Sequence, residues 1–249
     1  MRANVALVTG AARRIGRQIA LRLAEEGYGL VLHYGSSRQS AEELASEIAG
    51  GGGQAICLPA DLGDPEGAAR MIPAAARQLG PVNLLVNSAA VFQDDAIDAL
   101  DLALWRRQFA VNVEAPVFLA AAFARNLPND CEGAIVNIID HRVLRLTPQH
   151  LSYTLSKSTL WTATQTLAQA LAPRIRVNAV GPGPTYPNPR DGESGLAREA
   201  AGVLLQRRVE GAEIAEAVAY LAKARSVTGQ LIAVDSGQHL GWRTPDIVE

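Results

Sequence analysis

The chain has few of the features that mark disulfide-bonded, nucleic-acid-binding or membrane proteins. Its 249 residues include two cysteines, Cys57 and Cys131, which stand far apart and match no metal-binding spacing. Lys and Arg number 23 against 25 acidic residues, and no basic run is present to neutralise nucleic-acid phosphates. No apolar stretch reaches the roughly 20 residues that span a bilayer, and no secretory signal is present. We therefore expect a cytoplasmic protein with no metal site and no nucleic-acid or membrane partner.

The sequence also lacks a linker, an internal repeat and a break in composition. Apolar residues make up 48% of the chain and charged residues 19%, which is enough apolar material to bury a large core. We therefore predict a single domain over residues 1–249. A stretch rich in proline and glycine begins at Gly181. Because loops after parallel strands line the ligand cleft, we expect a substrate loop over about residues 181–208.

Seven short apolar runs alternate with amphipathic segments, and this alternation predicts the fold. The runs lack regularly spaced polar positions, as is typical of strands covered on both faces. A helix is predicted over about residues 39–49. Strand–helix alternation predicts an α/β, single-domain, doubly wound (Rossmann) fold with a seven-stranded parallel sheet flanked by helices. The predicted strands are Val5–Val8, Gly29–Tyr34, Gln54–Leu58, Val82–Asn87, Ala134–Ile139, Ile175–Val180 and Leu231–Val234.

The turn after the first strand, residues 9–16, leads directly into the first predicted helix. Its small residues, Gly10 and Gly16 among them, let the backbone approach a pyrophosphate, which free N–H groups at the helix N-terminus attract. The central glycine of the usual dinucleotide pattern is absent, and Arg14 stands near its place. The turn therefore favours a dinucleotide site, with an ordinary glycine turn as the alternative.

No carboxylate follows the second predicted strand, where NAD-binding proteins place an Asp or Glu against the adenosine ribose. The sequence there contains His33, Tyr34, Ser36 and Ser37. An acid would repel a 2′-phosphate, whereas hydroxyl groups and a guanidinium such as that of Arg14 bind it. The segment therefore predicts NADP(H) as the cofactor, with a solvated polar loop as the alternative.

Tyr153 and Lys157 are four residues apart, which places them on one face of a helix. A neighbouring ammonium stabilises a phenolate, so we expect Lys157 to lower the pKa of Tyr153 and make it a general acid. Such a pair also arises by chance. This pair follows the predicted strand Ala134–Ile139, however, which places it beside the expected cleft.

Together these features resemble the short-chain dehydrogenase/reductase superfamily over nearly the whole chain. The resemblance rests on the first turn, the missing acid, the segment 87–90, Tyr153 with Lys157, and the segment 181–183. It implies that Tyr153 donates a proton, that Asn112 supports a water-mediated proton relay and that Asp61 contacts the adenine. The cofactor site that it implies comprises Gly10, Arg14, Ile15, Gly16, His33, Tyr34, Ser36, Ser37, Asp61, Leu62, Asn87, Ser88, Ala89, Tyr153, Lys157, Pro182 and Gly183.

Asp140 stands where that family has a serine, 13 residues before the tyrosine. The family serine donates a hydrogen bond to a substrate carbonyl. An ionised carboxylate cannot donate, and it would repel the oxyanion that forms there. A carboxylic acid is better suited to a ring nitrogen that takes up a proton, and its charge favours the protonated form of Tyr153. We therefore expect Asp140 to act as a catalytic residue together with Asn112, Tyr153 and Lys157.

Within the superfamily, the chain resembles the pteridine reductases and the dihydromonapterin reductases. The resemblance rests on Arg14, Asp140 and the segment 33–37. In that group an aromatic residue shortly after the Asn-x-Ala segment stacks on the pterin ring, and Phe92 occupies this place. A role for Phe92 in the hydrophobic core is the alternative. The resemblance implies a small, pterin-like substrate that is bound by Arg14, Phe92, Asp140 and Tyr153.

Three functions are open from the sequence. The first is an NADPH-dependent reductase that transfers hydride to a ring C=N bond of a dihydropterin. The second is a carbonyl reductase acting on a ketone or 3-oxoacyl substrate, against which Asp140 counts. The third is a non-catalytic NADP-binding protein, which would have no need of Asn112, Tyr153 and Lys157 together. The family resemblance also implies a homotetramer.

Overall fold

Seven parallel strands form one sheet in the order β3-β2-β1-β4-β5-β6-β7. The computed structural model describes residues 4–188 and 191–242. The remainder of the expected domain, residues 1–3, 189–190 and 243–249, lies outside the described residues. The strands are β1 (Val5–Val8), β2 (Gly29–Tyr34), β3 (Ala55–Pro59), β4 (Leu84–Asn87), β5 (Gly133–Ile138), β6 (Ile175–Pro182) and β7 (Leu231–Val234).

Helices connect the strands. None of those in the described ranges has the length and apolar character that crossing a bilayer requires. A π-helical turn, Ala110–Glu114, joins the fifth and sixth α-helices into one continuous helical stretch. Short 3₁₀ turns cover His141–Val143 and Gln238–Leu240. The α-helices are α1 (Arg14–Glu25), α2 (Arg38–Gly50), α3 (Pro65–Ala69), α4 (Met71–Leu79), α5 (Leu102–Phe109), α6 (Ala115–Asn126), α7 (Leu151–Leu171), α8 (Gly192–Gly202) and α9 (Gly211–Lys223).

The central strand β1 shows why these segments read as unbroken apolar runs. Successive side chains of a strand point to opposite faces of the sheet. Val5 and Leu7 accordingly belong to one hydrophobic core, whereas Ala6 and Val8 belong to the other. All four side chains are buried because both faces of the sheet are covered. The predicted doubly wound, seven-stranded parallel sheet is confirmed.

Four of the seven strands, β3 to β6, have boundaries that differ from the predicted ones by one or two residues, and β6 shows the physical reason. We predicted its end at Val180, but the strand continues to Pro182. Val180 pairs with the last residue of β5, and beyond it only β7 continues the ladder. Proline lacks a backbone N–H, and it is tolerated there because Pro182 has a strand on one side only.

The order of the strands reverses between β1 and β4, and this reversal locates the cleft. Ligands of open α/β sheets bind outside the carboxyl ends of the strands at such a point. The turn after β1, the segment after β4, the 3₁₀ turn after β5 and the loop after β6 all lie at this edge. They line a common cleft of about 580 Å³.

Candidate active site

The turn at residues 9–16, here called the phosphate turn, is shaped by two glycines. Gly10 has φ +65°, and a Cβ on it would lie 3.0 Å from the Cα of Ala89. A Cβ on Gly16 would lie 2.2 Å from the carbonyl oxygen of Gly10. Neither position has room for a side chain, so the backbone at Gly10 and Gly16 faces the cleft without a side chain of its own. This cradle fits the pyrophosphate of a dinucleotide, which approaches backbone N–H groups at a helix N-terminus.

Arg13 and Ser37 form the polar side of the cleft beyond the phosphate turn. A guanidinium nitrogen of Arg13 donates a hydrogen bond to the Ser37 hydroxyl, and both residues line the cleft together with Tyr34. A guanidinium and a hydroxyl are the donors that a 2′-phosphate requires. Sequence reasoning assigned the arginine role to Arg14 and missed its neighbour. Only the fold shows which of the two adjacent arginines points towards the end of β2.

Arg14 points to the opposite side, towards the loop after β6. Its φ is +53°, and its guanidinium lies 5.3 Å from the centre of the Tyr186 ring. The same side chain donates a hydrogen bond to the carbonyl oxygen of Pro187 over 3.2 Å. Arg14 therefore connects the phosphate turn to the expected substrate loop. Within that loop, cleft-lining residues extend from Pro182 to Glu199 on α8.

His33 is buried behind the phosphate turn and does not line the cleft. Its Nδ1 accepts a hydrogen bond from the backbone N–H of Gly10 over 3.0 Å, and its Nε2 lies 3.2 Å from the carbonyl oxygen of Ala60. This arrangement places the ring proton on Nε2. The histidine thus supports the turn from behind, whereas the sequence placed it in the cofactor site.

Other residues predicted for the cofactor site fall into two groups. The Asp61 carboxylate accepts from the backbone N–H of Gly63 and pairs with Arg107 at 2.8 Å, outside the cleft. Those that do not line the cleft are His33, Ser36, Asp61, Leu62 and Asn87. Those that the structure brings together around it are Gly10, Arg14, Ile15, Gly16, Tyr34, Ser37, Ser88, Ala89, Tyr153, Lys157, Pro182 and Gly183.

Asn87 and Asn112 are buried supports of the surrounding backbone. The Asn87 side-chain amide donates to Asn137 Oδ1 over 2.8 Å, which links β4 to β5. Asn112 lies in the π-helical turn, where its side chain exchanges hydrogen bonds with the backbone of Val91 and donates to Ser156 Oγ over 3.0 Å. Asn112 thereby joins the segment after β4 to α7. It does not line the cleft, and its role in a proton relay stays a prediction.

Tyr153 is held in place by the beginning of α7. The buried carboxylate of Asp95 accepts from the backbone N–H of Ser152 over 3.1 and 3.2 Å, which satisfies a free donor of the first turn. Gln108 on α5 donates to the Ser152 hydroxyl over 2.7 Å. These contacts fix the register of α7, so that Tyr153 and Lys157 both face the cleft.

Asp140 and Tyr153 are in direct contact at the centre of the cleft. The Tyr153 hydroxyl donates to Asp140 Oδ2 over 3.0 Å. Asp140 Oδ1 accepts from the backbone N–H of Arg142 over 2.9 Å and lies 3.0 Å from His141 Nδ1. Burial alone would raise the pKa of the Asp140 carboxyl, but the hydrogen bonds and positive charge of His141 and Arg142 lower it to about 2. Asp140 is therefore an anion near neutral pH.

The pKa of Tyr153 changes in the direction opposite to the expected effect of Lys157. Burial, together with the charge and hydrogen bond of Asp140, raises the pKa of Tyr153 well above its usual value. Lys157 Nζ lies 5.8 Å from the centre of the Tyr153 ring and donates to the carbonyl oxygen of Ile138 over 2.8 Å. Burial lowers the pKa of Lys157 to about 8. Asp140 dominates because it contacts the phenol and Lys157 does not.

Phe92 stands at the mouth of the cleft and is 39% exposed, which excludes a role in the hydrophobic core. Its ring packs edge-on against Tyr153 and at a tilt against His150, both with centres 4.6 Å apart. The guanidinium of Arg142 lies 5.8 Å from its centre. His141, Arg142 and His150 were not predicted. His141 and Arg142 directly follow Asp140 in the sequence, and this adjacency could have indicated that they belong to the site.

Comparisons with known proteins agree on the type of protein. Residues 10–239 match the family model described as enoyl-(acyl carrier protein) reductase. The short-chain type dehydrogenase/reductase of Picea abies is 34% identical over 94% of this chain and 92% of its own. The 3-oxoacyl-(acyl-carrier-protein) reductase FabG of Staphylococcus aureus is 32% identical over 94% of this chain and 98% of its own.

A solved structure matches more closely than either of these relatives. FolM alternative dihydrofolate reductase 1 from Brucella canis, crystallised in a complex with NADP, is 49% identical to this chain. The match covers 98% of this chain and 97% of that one, with a TM-score of 0.94. The two proteins therefore share one fold over nearly the whole aligned length.

Proposed function

The chain belongs to the short-chain dehydrogenase/reductase family, and we propose that it is an NADPH-dependent reductase of a dihydropterin. The cofactor is NADP(H). The phosphate turn would hold its pyrophosphate, and Arg13 with Ser37 would bind its 2′-phosphate. When bound, NADPH supplies the hydride that adds to the carbon of a C=N bond in the pterin ring.

The contact between Asp140 and Tyr153 carries the proposal. A ketone reductase needs hydrogen-bond donors that face the developing oxyanion. In this cleft the phenol proton points to Asp140, and an anionic carboxylate occupies the place of the second donor. The negative charge of Asp140 repels an oxyanion and attracts N–H groups, which a dihydropterin has along its ring. The arrangement therefore favours a ring C=N bond over a C=O bond.

Each of these cleft residues has a separate role in the proposed reaction. Phe92 offers its exposed ring for stacking, which contributes about 0.5–1.5 kcal/mol beyond the area that it buries. Asp140 accepts a hydrogen bond from a ring N–H and thereby orients the substrate. Tyr153 holds the proton that the ring nitrogen takes up as the carbon gains hydride. Lys157 and Arg142 supply positive charge that offsets the negative charge left on the Asp140–Tyr153 pair.

The relatives support this substrate class as well as one alternative. The Brucella canis structure is described as an alternative dihydrofolate reductase, and dihydrofolate contains a dihydropterin ring. The relative from Staphylococcus aureus is a 3-oxoacyl thioester reductase, which favours a carbonyl substrate. Asp140 opposes that alternative for the reason given above. The predicted homotetramer and cytoplasmic location stay predictions.

Oxidation of NADPH, measured with dihydrobiopterin and dihydromonapterin beside a panel of ketones and 3-oxoacyl thioesters, tests the proposal. We expect turnover with the dihydropterins and little with the carbonyl compounds. Turnover of carbonyl compounds alone would establish the alternative. If no substrate were consumed while NADPH still bound, the chain would be a non-catalytic NADP-binding protein.

A further inference from the structure

His141 begins the 3₁₀ turn after β5 and connects Asp140 to the end of β6. Its Nδ1 lies 3.0 Å from Asp140 Oδ1 and 3.3 Å from the carbonyl oxygen of Pro182. The paired residues of β5 and β6 end at Ile138 and Val180. The imidazole therefore continues the connection between these strands to the edge of the cleft, which His141 and Asp140 both line.

Both neighbours of His141 Nδ1 are hydrogen-bond acceptors. A carbonyl oxygen has no proton to donate, and an ionised carboxylate has none either. Nδ1 therefore carries a proton whether the ring is neutral or charged, and the two acceptors share it as in a three-centre hydrogen bond. Because His141 is only 8% exposed, water competes little for this proton.

The two carboxylate oxygens of Asp140 have different partners. Oδ1 accepts from the backbone N–H of Arg142 over 2.9 Å and lies 3.0 Å from His141 Nδ1. Oδ2 accepts from the Tyr153 hydroxyl over 3.0 Å. A carboxylate oxygen has two lone pairs, so Oδ2 can accept a second hydrogen bond from a substrate. The 3₁₀ turn thus holds one oxygen and leaves the other for the reaction.

The ionised form of Asp140 depends on His141 more than on its other neighbours. Burial raises the pKa of this carboxyl, because a charge is less stable away from water. The hydrogen bond and charge of His141 are the largest effects in the opposite direction, ahead of those of Arg142. Removal of the imidazole donor therefore moves the balance towards a protonated Asp140.

Other titratable groups stand on α7 and on the 3₁₀ turn Gln238–Leu240, which pack against the turn after β5. From α7, Tyr153 offers the carboxylate a neutral hydroxyl, and Lys157 directs its ammonium to a backbone carbonyl oxygen. On the second turn, the Nδ1 atom of His239 lies 2.6 Å from Asp235 Oδ2 and is engaged there. These groups leave the imidazole of the turn after β5 as the ring that holds the carboxylate.

We infer that His141 is a positioning residue for the proposed reaction, because its Nδ1–H holds Asp140 as an oriented acceptor for the substrate. The inference rests on the proposed function and adds to it the residue that keeps Asp140 ionised. Without this donor, the carboxyl takes up a proton as the pH falls. Protonated Asp140 has no charge that attracts a ring N–H, so the substrate loses its orientation.

Infrared difference spectroscopy of the NADP⁺-bound protein tests the inference without a substrate. The C=O stretching band of a protonated carboxyl, identified by its loss in Asp140→Asn, reports the charge of Asp140 at each pH. In His141→Phe, which keeps a planar ring and removes the donor, this band should appear in mildly acidic solution, in which the wild-type protein shows none. In His141→Asn, which keeps an N–H donor close to the place of Nδ1, the band should stay absent.

Steady-state kinetics with a dihydropterin measures the consequence for the reaction. Relative to wild type, kcat/KM of His141→Phe should fall about tenfold per pH unit once Asp140 is protonated, and His141→Asn should restore the wild-type profile. The decrease that Lys157 causes at alkaline pH should stay in place. A role in folding alone would instead lower kcat/KM equally at every pH.

The matched control is His239→Phe, which removes the same donor from the pair of His239 and Asp235 and should leave the acidic profile unchanged. An unchanged Kd for NADP⁺ shows that each variant is folded. If His141→Phe fails this criterion, His141→Gln replaces it, because its N–H lies one methylene farther from the backbone.

Two results would show that the inference is wrong. One is a donor-free variant without the carboxyl band in mildly acidic solution. The other is a band in His141→Asn as strong as in His141→Phe, because the hydrogen bond would then not be what holds Asp140. If the bands appeared as expected but the wild-type protein did not reduce dihydropterins, the control of Asp140 by His141 would stand and the proposed function would be wrong.

Discussion

The hydroxyl of Tyr153 donates its hydrogen bond to Asp140 over 3.0 Å, so the family's proton donor faces a carboxylate in this protein. The carboxylate is ionised, and its charge makes the phenol harder to deprotonate. The proton of this hydrogen bond therefore stays on Tyr153, at the side of the cleft that the proposed substrate would face. For the proposed reaction, we therefore expect the pair of Asp140 and Tyr153 to matter more than the pair of Tyr153 and Lys157.

Replacement of Tyr153 by Phe should strongly reduce turnover and leave cofactor binding intact. The ring still packs against Phe92, but the proton for the ring nitrogen is lost, and a general acid contributes about 10²–10⁴ in rate. We expect kcat for dihydropterin to fall within this range and Kd for NADPH to change less than about twofold. Tyr220→Phe, on the exposed face of α9, is the matched control. A collapse of NADPH affinity would show that Tyr153 acts mainly in cofactor binding.

Replacement of Asp140 by Ser should shift the substrate preference. The variant removes the negative charge and supplies a donor that can face a carbonyl oxygen. We expect kcat/KM for dihydropterin to fall about 10²-fold and ketone reduction to rise, with Kd for NADPH nearly unchanged. Steady-state kinetics with both substrate classes measures the effect. Equal losses for dihydropterin turnover and NADPH binding would contradict a role on the substrate side.

Removal of the Arg13 guanidinium should reduce the preference for NADPH over NADH. Arg13 and Ser37 are the donors proposed for the 2′-phosphate, and hydrogen bonds to charged groups contribute about 1.5–3 kcal/mol. In Arg13→Met, Kd for NADPH should rise about tenfold to a hundredfold while Kd for NADH stays constant. Arg17→Met, in the first turn of α1 and outside the cleft, is the control. An equal rise in Kd for NADPH and for NADH would instead indicate that Arg13 contacts the pyrophosphate, which both nucleotides contain.

The pH dependence of the reaction should show the titration of Lys157. Burial lowers the pKa of this ammonium to about 8, so it is charged below pH 8 and becomes neutral above it. The positive charge that offsets the Asp140–Tyr153 pair is then lost, and we expect kcat/KM to fall as the pH rises past 8. In Lys157→Arg, this decrease should move to higher pH because arginine keeps its proton. A decrease at the same pH in both proteins would assign the titration to another group.

The fold was predictable because its signals are local and numerous. Seven apolar runs marked the strands, since covering β1 and its neighbours on both faces leaves few polar positions in them. In the site, the sequence predicted Asp140, Tyr153 and Lys157, and the three residues line one cleft, whereas their catalytic roles stay predictions. The spacing of Tyr153 and Lys157 on α7 and the place of Asp140 shortly after β5 follow from the sequence alone.

The rest of the site depends on side-chain direction, which a linear pattern does not contain. Arg13 and Arg14 are adjacent in the sequence, yet they point to opposite sides of the phosphate turn. His33 lies beside that turn, but its strand directs it into the interior, where it supports Gly10. Gln238 is about a hundred residues from Arg142 in the sequence and reaches the cleft only because the carboxyl-terminal 3₁₀ turn folds back over it.

Arg14 adopts a backbone conformation that glycine would adopt without strain. A residue with a side chain is less stable there by roughly 1–2 kcal/mol, and the contacts of Arg14 with Tyr186 and Pro187 offset this cost. Whether arginine is favoured at position 14 therefore depends on which residues the loop after β6 places against it. Where a relative lacks an aromatic residue at the position of Tyr186, a glycine in place of the arginine becomes favourable. Positions 14 and 186 should covary across the family, and a sequence alignment would reveal it.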